Sequence, residues 1–149
     1  MSHSIPSIKD IENAHQRISD QVGHTQVLTS SLVNELCSAE LYFKCENFQK
    51  TGSFKFRGAS NAVLQLSEEE AIHGVGSHSS GNHAAALALA ASLRGIDAHI
   101  VMPENSSPVK RKAVEHYNAR ITYCAPGLDA REKTYHKIEK QTGARFIHP

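Results

Sequence analysis

The chain has 149 residues, enough for one ordinary domain with a hydrophobic core or for part of a larger one. Forty per cent hydrophobic and 21 per cent charged residues are the balance of a soluble globular chain. Sixteen basic against fifteen acidic side chains leave a net charge of +1, which offers no field to nucleic acid or to an anionic membrane.

The opening Met1-Ser-His-Ser-Ile-Pro6 lacks the basic-then-apolar order of a secretory signal, and the apolar run Ala84 to Ala91 is too short to cross a bilayer. From Ile8 to Val22, apolar residues at positions 8, 11, 14, 18 and 22 predict an amphipathic helix capped by Ser7. Val27 to Leu36 turns helical after Thr29, and Glu40-Leu-Tyr-Phe-Lys-Cys45 reads as a short strand. A helix starts near Phe54, carried by Ala59, Ala62, Val63 and Leu66. Ser67-Glu-Glu-Glu70 has capping-box spacing and opens another short one.

Beyond residue 73 the pattern is regular. Gly74 to Ser77 is a strand, Asn82 to Leu93 a small-residue helix stopped by Gly95, and Ala98 to Met102 a buried strand. Ser107-Pro108 starts a helix that ends near Tyr117 and closes through a left-handed Asn118. Ile121 to Cys124 is a strand, Leu128 to Gln141 a helix stopped by Gly143, and Arg145 to His148 the last strand. Strand and helix alternate four times, the signature of right-handed βαβ units. The fold class expected is α/β, an open parallel sheet with flanking helices. The chain stops at His148-Pro149, directly after a strand, where a doubly wound unit is expected to continue.

Cys37, Cys45 and Cys124 form no Cys-x-x-Cys pair and read as thiols of a reducing compartment, so the expected location is cytoplasmic. His73, His78 and His83 lie five apart, which suits neither one helical face nor a zinc pattern, and no metal site is expected.

Two segments carry chemistry. Lys55 stands in Thr51-Gly-Ser-Phe-Lys-Phe-Arg-Gly-Ala59, between two phenylalanines at the mouth of a helix. Desolvation and a positive helix end both favour the unprotonated amine, the form that attacks an aldehyde. Alone, such a lysine reads more simply as a surface residue of an amphipathic helix start. The second segment is His78-Ser-Ser-Gly-Asn-His83, between a strand and an Ala/Leu helix. Gly81 permits close backbone approach, and the helix start offers unpaired N–H groups to a carboxylate. A serine-capped helix after a tight turn accounts for one serine and Gly81, but leaves Asn82 and His83 without a purpose.

Together these segments resemble the fold-type II pyridoxal phosphate enzymes, and within them the serine racemase and threonine/serine dehydratase group. Met102-Pro103, Lys110 to Tyr117 and the closing Phe-Ile-His-Pro149 are similar to the same group. The resemblance covers essentially the whole chain and about half of a typical member. It implies pyridoxal 5'-phosphate as cofactor, with Lys55 as the Schiff-base lysine and as base on one face of the substrate Cα. It implies Phe54 beside the cofactor ring and Asn82 on its phenolic oxygen. Ser79, Gly81, Asn82 and His83 would line the pocket for the substrate carboxylate, and Ser80 would stand opposite Lys55.

Two bases on opposite faces permit racemisation, whereas one suffices for loss of a β-hydroxyl, so Ser80 reads either as the second base or as a helix cap. A β-replacement activity in the manner of cysteine synthase fits less well. Those relatives read Lys-Asp-Arg where this chain has Lys55-Phe-Arg-Gly58. Members that bind a nucleotide effector use residues resembling Lys50, Thr51, Lys110, Ala113 and Tyr117, but here Ala85 replaces a frequent glutamine.

The implied architecture is the small domain of the tryptophan synthase β-like fold over residues 73–149, preceded in 1–72 by part of the large domain. The remainder of the large domain, with its glycine-rich phosphate loop, would lie after residue 149, and no Gly-Gly-Gly-Gly run occurs here. Expected partners are a small hydroxy amino acid, a second copy in the complete homodimeric enzyme, and a complementing C-terminal half. The other possibility is a non-catalytic fragment that self-associates through apolar surface on the first 70 residues.

Overall fold

The structure is a computed structural model and describes residues 5–149. Helix α1 runs from Ile8 to Ile18 behind the expected Ser7 cap, whose hydroxyl accepts from the Asp10 N–H while the Asp10 carboxylate accepts from the Ser7 N–H. It stops short of Val22, which packs instead against the main core. Two short strands, β1 (Val27–Leu28) and β2 (Phe43–Lys44), pair antiparallel around α2 (Ser31–Cys37). The strand expected over 40–45 therefore shrinks to two residues. Helices α3 (Lys55–Leu64) and α4 (Glu68–Ala71) follow, α4 with the reciprocal Ser67–Glu70 bonds that its sequence predicts.

The regular part comprises β3 (Val75–Ser77), α5 (Asn82–Arg94), β4 (Ala98–Pro103), α6 (Pro108–Glu115), β5 (Arg120–Cys124), α7 (Leu128–Thr142) and β6 (Arg145–Phe146). Its four strands form a parallel sheet in the order β5-β4-β3-β6. The α/β class and the parallel sheet are thus as expected. Gly95 and Gly143 close α5 and α7 in the left-handed conformation, and Asn118 follows α6 with φ of 61°.

Side chains alternate across β4. Ile100 and Met102 join α5 and Val114 of α6, while Val101 joins Tyr135 and Ile138 of α7. Gly76 of β3 is required by this second face. A Cβ there would stand 2.5 Å from Tyr135 Cε2 and 3.0 Å from the His99 carbonyl oxygen.

Helix α5 is the central element. The sheet covers one side, and Phe56, Ala59 and Val63 of α3 belong to the same buried cluster on the other. An element enclosed on both sides is apolar all round, and alanine lets two neighbours approach it closely. Arg94 of α5 also donates to the Val63 and Leu66 carbonyls, closing the carboxyl end of α3. One hydrophobic cluster therefore contains residues from before and after position 72.

The opposite holds near the start. Helix α2 buries no residue, and Ile8, Ile11, Leu32, Leu36, Tyr42 and Phe48 are all exposed.

Because Ala86 is fully buried, Ala86→Leu is expected to overpack α5 and destabilise the chain by about 2 kcal/mol. Leu93→Ala, on the exposed side of the same helix, should change stability by no more than about 0.5 kcal/mol. Urea denaturation of the two variants checks this.

Candidate active site

Strand order reverses at β3. The chain leaves β3 through α5 towards β4, and returns through α7 to β6 on the other side of β3. In open α/β sheets such a switch point leaves a crevice outside the carboxyl ends of the strands. Both chemical segments of the sequence come to this edge.

Lys55 reaches it through a strained turn. In the short 3-10 segment Lys50–Gly52, Thr51 takes φ of 63° and Gly52 φ of 71°. For a β-branched threonine that conformation costs energy and must be held by its surroundings. The turn delivers Ser53, buried, and then Phe54, whose backbone is already helical, so that Lys55 opens α3. The two phenylalanines beside Lys55 have different fates. Phe56 is wholly buried in the core, while Phe54 is 62 % exposed with its ring centroid 5.7 Å from Lys55 Nζ.

A polar frame fixes this segment. Arg57 donates from Nε and Nη2 to the two Glu46 carboxylate oxygens, at 2.8 Å each, and from Nη2 to the Gly23 carbonyl. Thr25 donates its hydroxyl proton to Glu46 Oε1 at 2.5 Å. Gln49 bonds both the N–H and the C=O of Gly23 at 2.8 Å. The Arg57 bonds hold the Glu46 carboxyl down at about 2, against a burial effect that alone raises it. Spacing in the sequence gives no sign that Arg57 and Glu46 pair.

The loop after β3 forms the facing side. Gly81 occupies the N-cap position of α5, and no side chain among the described residues caps that helix. Ser79 Oγ accepts from the Gly81 N–H at 3.4 Å, so this serine braces the loop rather than the helix. The cap expected of a serine is absent, and the first amides of α5 are left for a ligand. Open space surrounds the place where a Gly81 Cβ would stand.

Lys55, Phe54 and His83 line a cavity of about 610 Å³, together with Gly58, Ala59 and Ala62 of α3. Ser79, Ser80 and Gly81 line an adjoining cavity of about 500 Å³. Phe146, His148 and Pro149 belong to both walls, whereas Asn82 is exposed and lines neither. His83 itself is buried, with Nε2 3.3 Å from the Ile147 carbonyl oxygen. Burial, and then the nearby Lys55, His148 and His78, push its imidazole below the usual histidine range.

Arg131 and Glu132 of α7 complete the second cavity. Sequence reasoning misses both. Leu128, Arg131, Glu132 and Tyr135 do share a helical face by spacing, but their mixed chemistry gives no sign of what that face meets. Among the described residues, no group of three or more His, Cys, Asp or Glu could hold a metal ion, and no helix is long and apolar enough to cross a membrane.

The Glu46 carboxyl sits at about 2 in the folded chain, against an ordinary value of 4.5. Its contribution is present above the ordinary value and is lost as pH falls through that range towards 2. Glu46→Gln is therefore expected to destabilise the chain at pH 7 by about 2 kcal/mol, a difference that shrinks in acid. Melting curves of both proteins between pH 7 and 2.5 test this.

The family model described as pyridoxal-phosphate dependent enzyme matches residues 18–149. A β-hydroxyaspartate dehydratase of Paracoccus denitrificans is 47% identical over 145 residues, covering 97% of this chain and 46% of that protein. A serine racemase of Dictyostelium discoideum is 48% identical over 143 residues, covering 96% of this chain and 44% of the relative. The structure of maize serine racemase superposes with a TM-score of 0.95 at 44% identity, over 98% of this chain and 44% of that one. The chain thus spans less than half the length of these relatives. With a lysine-bearing helix and an uncapped helix start meeting at one switch point, and a family match from residue 18 to residue 149, the chain belongs to the pyridoxal-phosphate dependent enzymes.

Proposed function

We propose that this chain supplies the lysine and the carboxylate loop of an enzyme that dehydrates or racemises small hydroxy amino acids, with serine, threonine and 3-hydroxyaspartate as the substrate class. The observation that carries the proposal is the meeting of Lys55 and the uncapped start of α5 at the switch point. The names of the relatives, a β-hydroxyaspartate dehydratase and a serine racemase, support both reactions.

The residues present fit one side of pyridoxal phosphate. Lys55 opens on a cavity of about 610 Å³, within the range of small-molecule sites. Its wall of Gly58, Ala59 and Ala62 is smooth enough for a flat ring, and the largely exposed Phe54 is free to pack beside one. Lys55 would hold the cofactor covalently, and Asn82, exposed at the head of α5, would bond its phenolic oxygen. A phosphate-binding glycine run is not among these residues. When bound, pyridoxal phosphate supplies the electron sink that makes an amino acid Cα–H acidic.

Within that scheme the first amides of α5, with Ser79, Gly81 and Asn82, orient the substrate carboxylate through N–H donors and the helix dipole. Arg131 adds a cation to the same cavity. The Lys55 amine takes the Cα proton on its own side, which is enough for loss of the β-hydroxyl. Ser80 lines the other cavity, and its hydroxyl delivers or removes a proton from there, which adds racemisation.

Full activity draws on residues that the relatives carry outside the matched span, as a complementing C-terminal half and a homodimer. The exposed apolar side chains of α1, α2 and β2 support that reading, because they offer a covering polypeptide apolar surface to bury. They also support a second one, a non-catalytic chain that self-associates.

Titration with pyridoxal phosphate is expected to give weak binding and an absorbance that Lys55→Ala abolishes, with little or no serine turnover by the chain alone. Strong serine dehydration by the isolated 149 residues would contradict the need for a complementing half. Loss of the absorbance signal even with that half supplied would overturn the role of Lys55.

In the complemented enzyme, Ser80→Ala should lower racemisation at least about a hundredfold, as expected for removing a general acid-base, and leave dehydration within a few-fold. Chiral analysis of the products measures the ratio, and equal loss of both reactions would assign Ser80 to binding alone.

A further inference from the structure

The Ile147 carbonyl is the acceptor for two side chains. Ser77 Oγ donates to it at 2.7 Å, and His83 Nε2 approaches it at 3.3 Å. The Ile147 N–H in turn donates to the Gly76 carbonyl at 2.9 Å, extending the β3–β6 ladder by one bond. Ser77 is completely buried and His83 is 7 % exposed, so water competes weakly for either bond.

The two donors stand on opposite stems of one loop. Ser77 ends β3 and His83 is the second residue of α5. Between them hang His78 to Asn82, of which His78 to Gly81 line the second cavity and Gly81 and Asn82 form the uncapped helix start. Ile147 meanwhile lies between Phe146 and His148, which line both cavities. One carbonyl thus ties both stems of the anion loop to the wall shared with the lysine cavity.

The acceptor also decides what His83 can do. A carbonyl oxygen only accepts, so the proton of the neutral ring sits on Nε2 and Nδ1 keeps a bare lone pair. A lone pair repels a carboxylate. Only the imidazolium could donate to one, and burial, helped by Lys55 of α3, His78 of the loop and His148 after β6, disfavours that form even though the Ile147 bond favours it.

We propose that His83 is a positioning residue rather than a ligand of the substrate carboxylate: with Ser77 it clamps the Ile147 carbonyl and so fixes the 78–82 loop against the Lys55 cavity. Its effect on Lys55 rests on the reading of that lysine given above, whereas the clamp itself does not.

The test uses the 149-residue chain. Nitrogen-15 NMR of the ring should show the neutral Nε2–H form of His83 at pH 7. A Nδ1–H ring or an imidazolium would overturn the proposal whatever Lys55 does.

His83→Gln keeps an N–H donor near the Nε2 place and His83→Leu removes it, while Ser77→Ala removes the partner bond alone. Amide exchange at Ile147 is expected to rise about fivefold or more in His83→Leu and Ser77→Ala, the effect of about one hydrogen bond, and to stay near the parent value in His83→Gln. The rate of borohydride-fixed pyridoxal phosphate incorporation should follow the same order.

Failure of glutamine to restore Ile147 protection would overturn the clamp. Absence of any fixed cofactor in the parent chain would instead count against Lys55 as the anchor, leaving the NMR and exchange results to decide the clamp.

Discussion

Enclosure of α5 on both sides is the constraint from which the rest of the architecture follows. A helix with the sheet on one side and α3 on the other has no solvent face over most of its length, and its run of alanines is the packing answer. That run sets two distances at once. It brings α3, with Lys55 at its first turn, close to the sheet edge, and it seats the amino end of α5 directly beyond β3. Enlarging the buried alanines would push these two features apart.

Around that core the site is framed by polar groups bonded to one another and to the backbone. Arg57 and Glu46, with Gly23, Thr25 and Gln49, secure the turn before Lys55. Ser77 and His83 secure the loop before α5 through Ile147. The strained Thr51 backbone and the uncapped α5 start are places where local preference is overruled, and both adjoin the lysine and the loop.

Much of the fold was legible because it is written locally. Ser7, Ser67 and Ser107 each accept the backbone bond that their spacing foretells, Gly95 and Gly143 end their helices as left-handed residues, and Asn118 is left-handed in the turn after α6. Alternation of strands and helices was enough for a parallel sheet. Strand order was not legible, since nothing in Arg145-Phe146 says that it lies beside β3 rather than β5. β2 lies within the strand expected over 40–45, but its partner β1 is not legible, because two residues leave no periodicity to read.

At the site, residue types were readable and orientations were not. Phe54 and Phe56 look alike in sequence, yet a step of two along the chain sends one into the core and leaves the other at the surface. His83 lines the Lys55 cavity, but that its ring meets a main-chain carbonyl 64 positions away is not readable from sequence. Pairing at such separations leaves no trace in local pattern, and the same holds for Arg57 with Glu46 and for Arg131 across from the 79–81 loop.

The central claim is that Lys55, among the lysines of this chain, is the one that the fold presents to a cofactor. Borohydride fixation with pyridoxal phosphate, followed by peptide mapping, addresses it most directly. The phosphopyridoxyl mass should fall on the peptide carrying Lys55 and be absent from those carrying only Lys9, Lys112 or Lys137. A label spread evenly over the surface lysines, or concentrated on any lysine other than Lys55, would contradict the account.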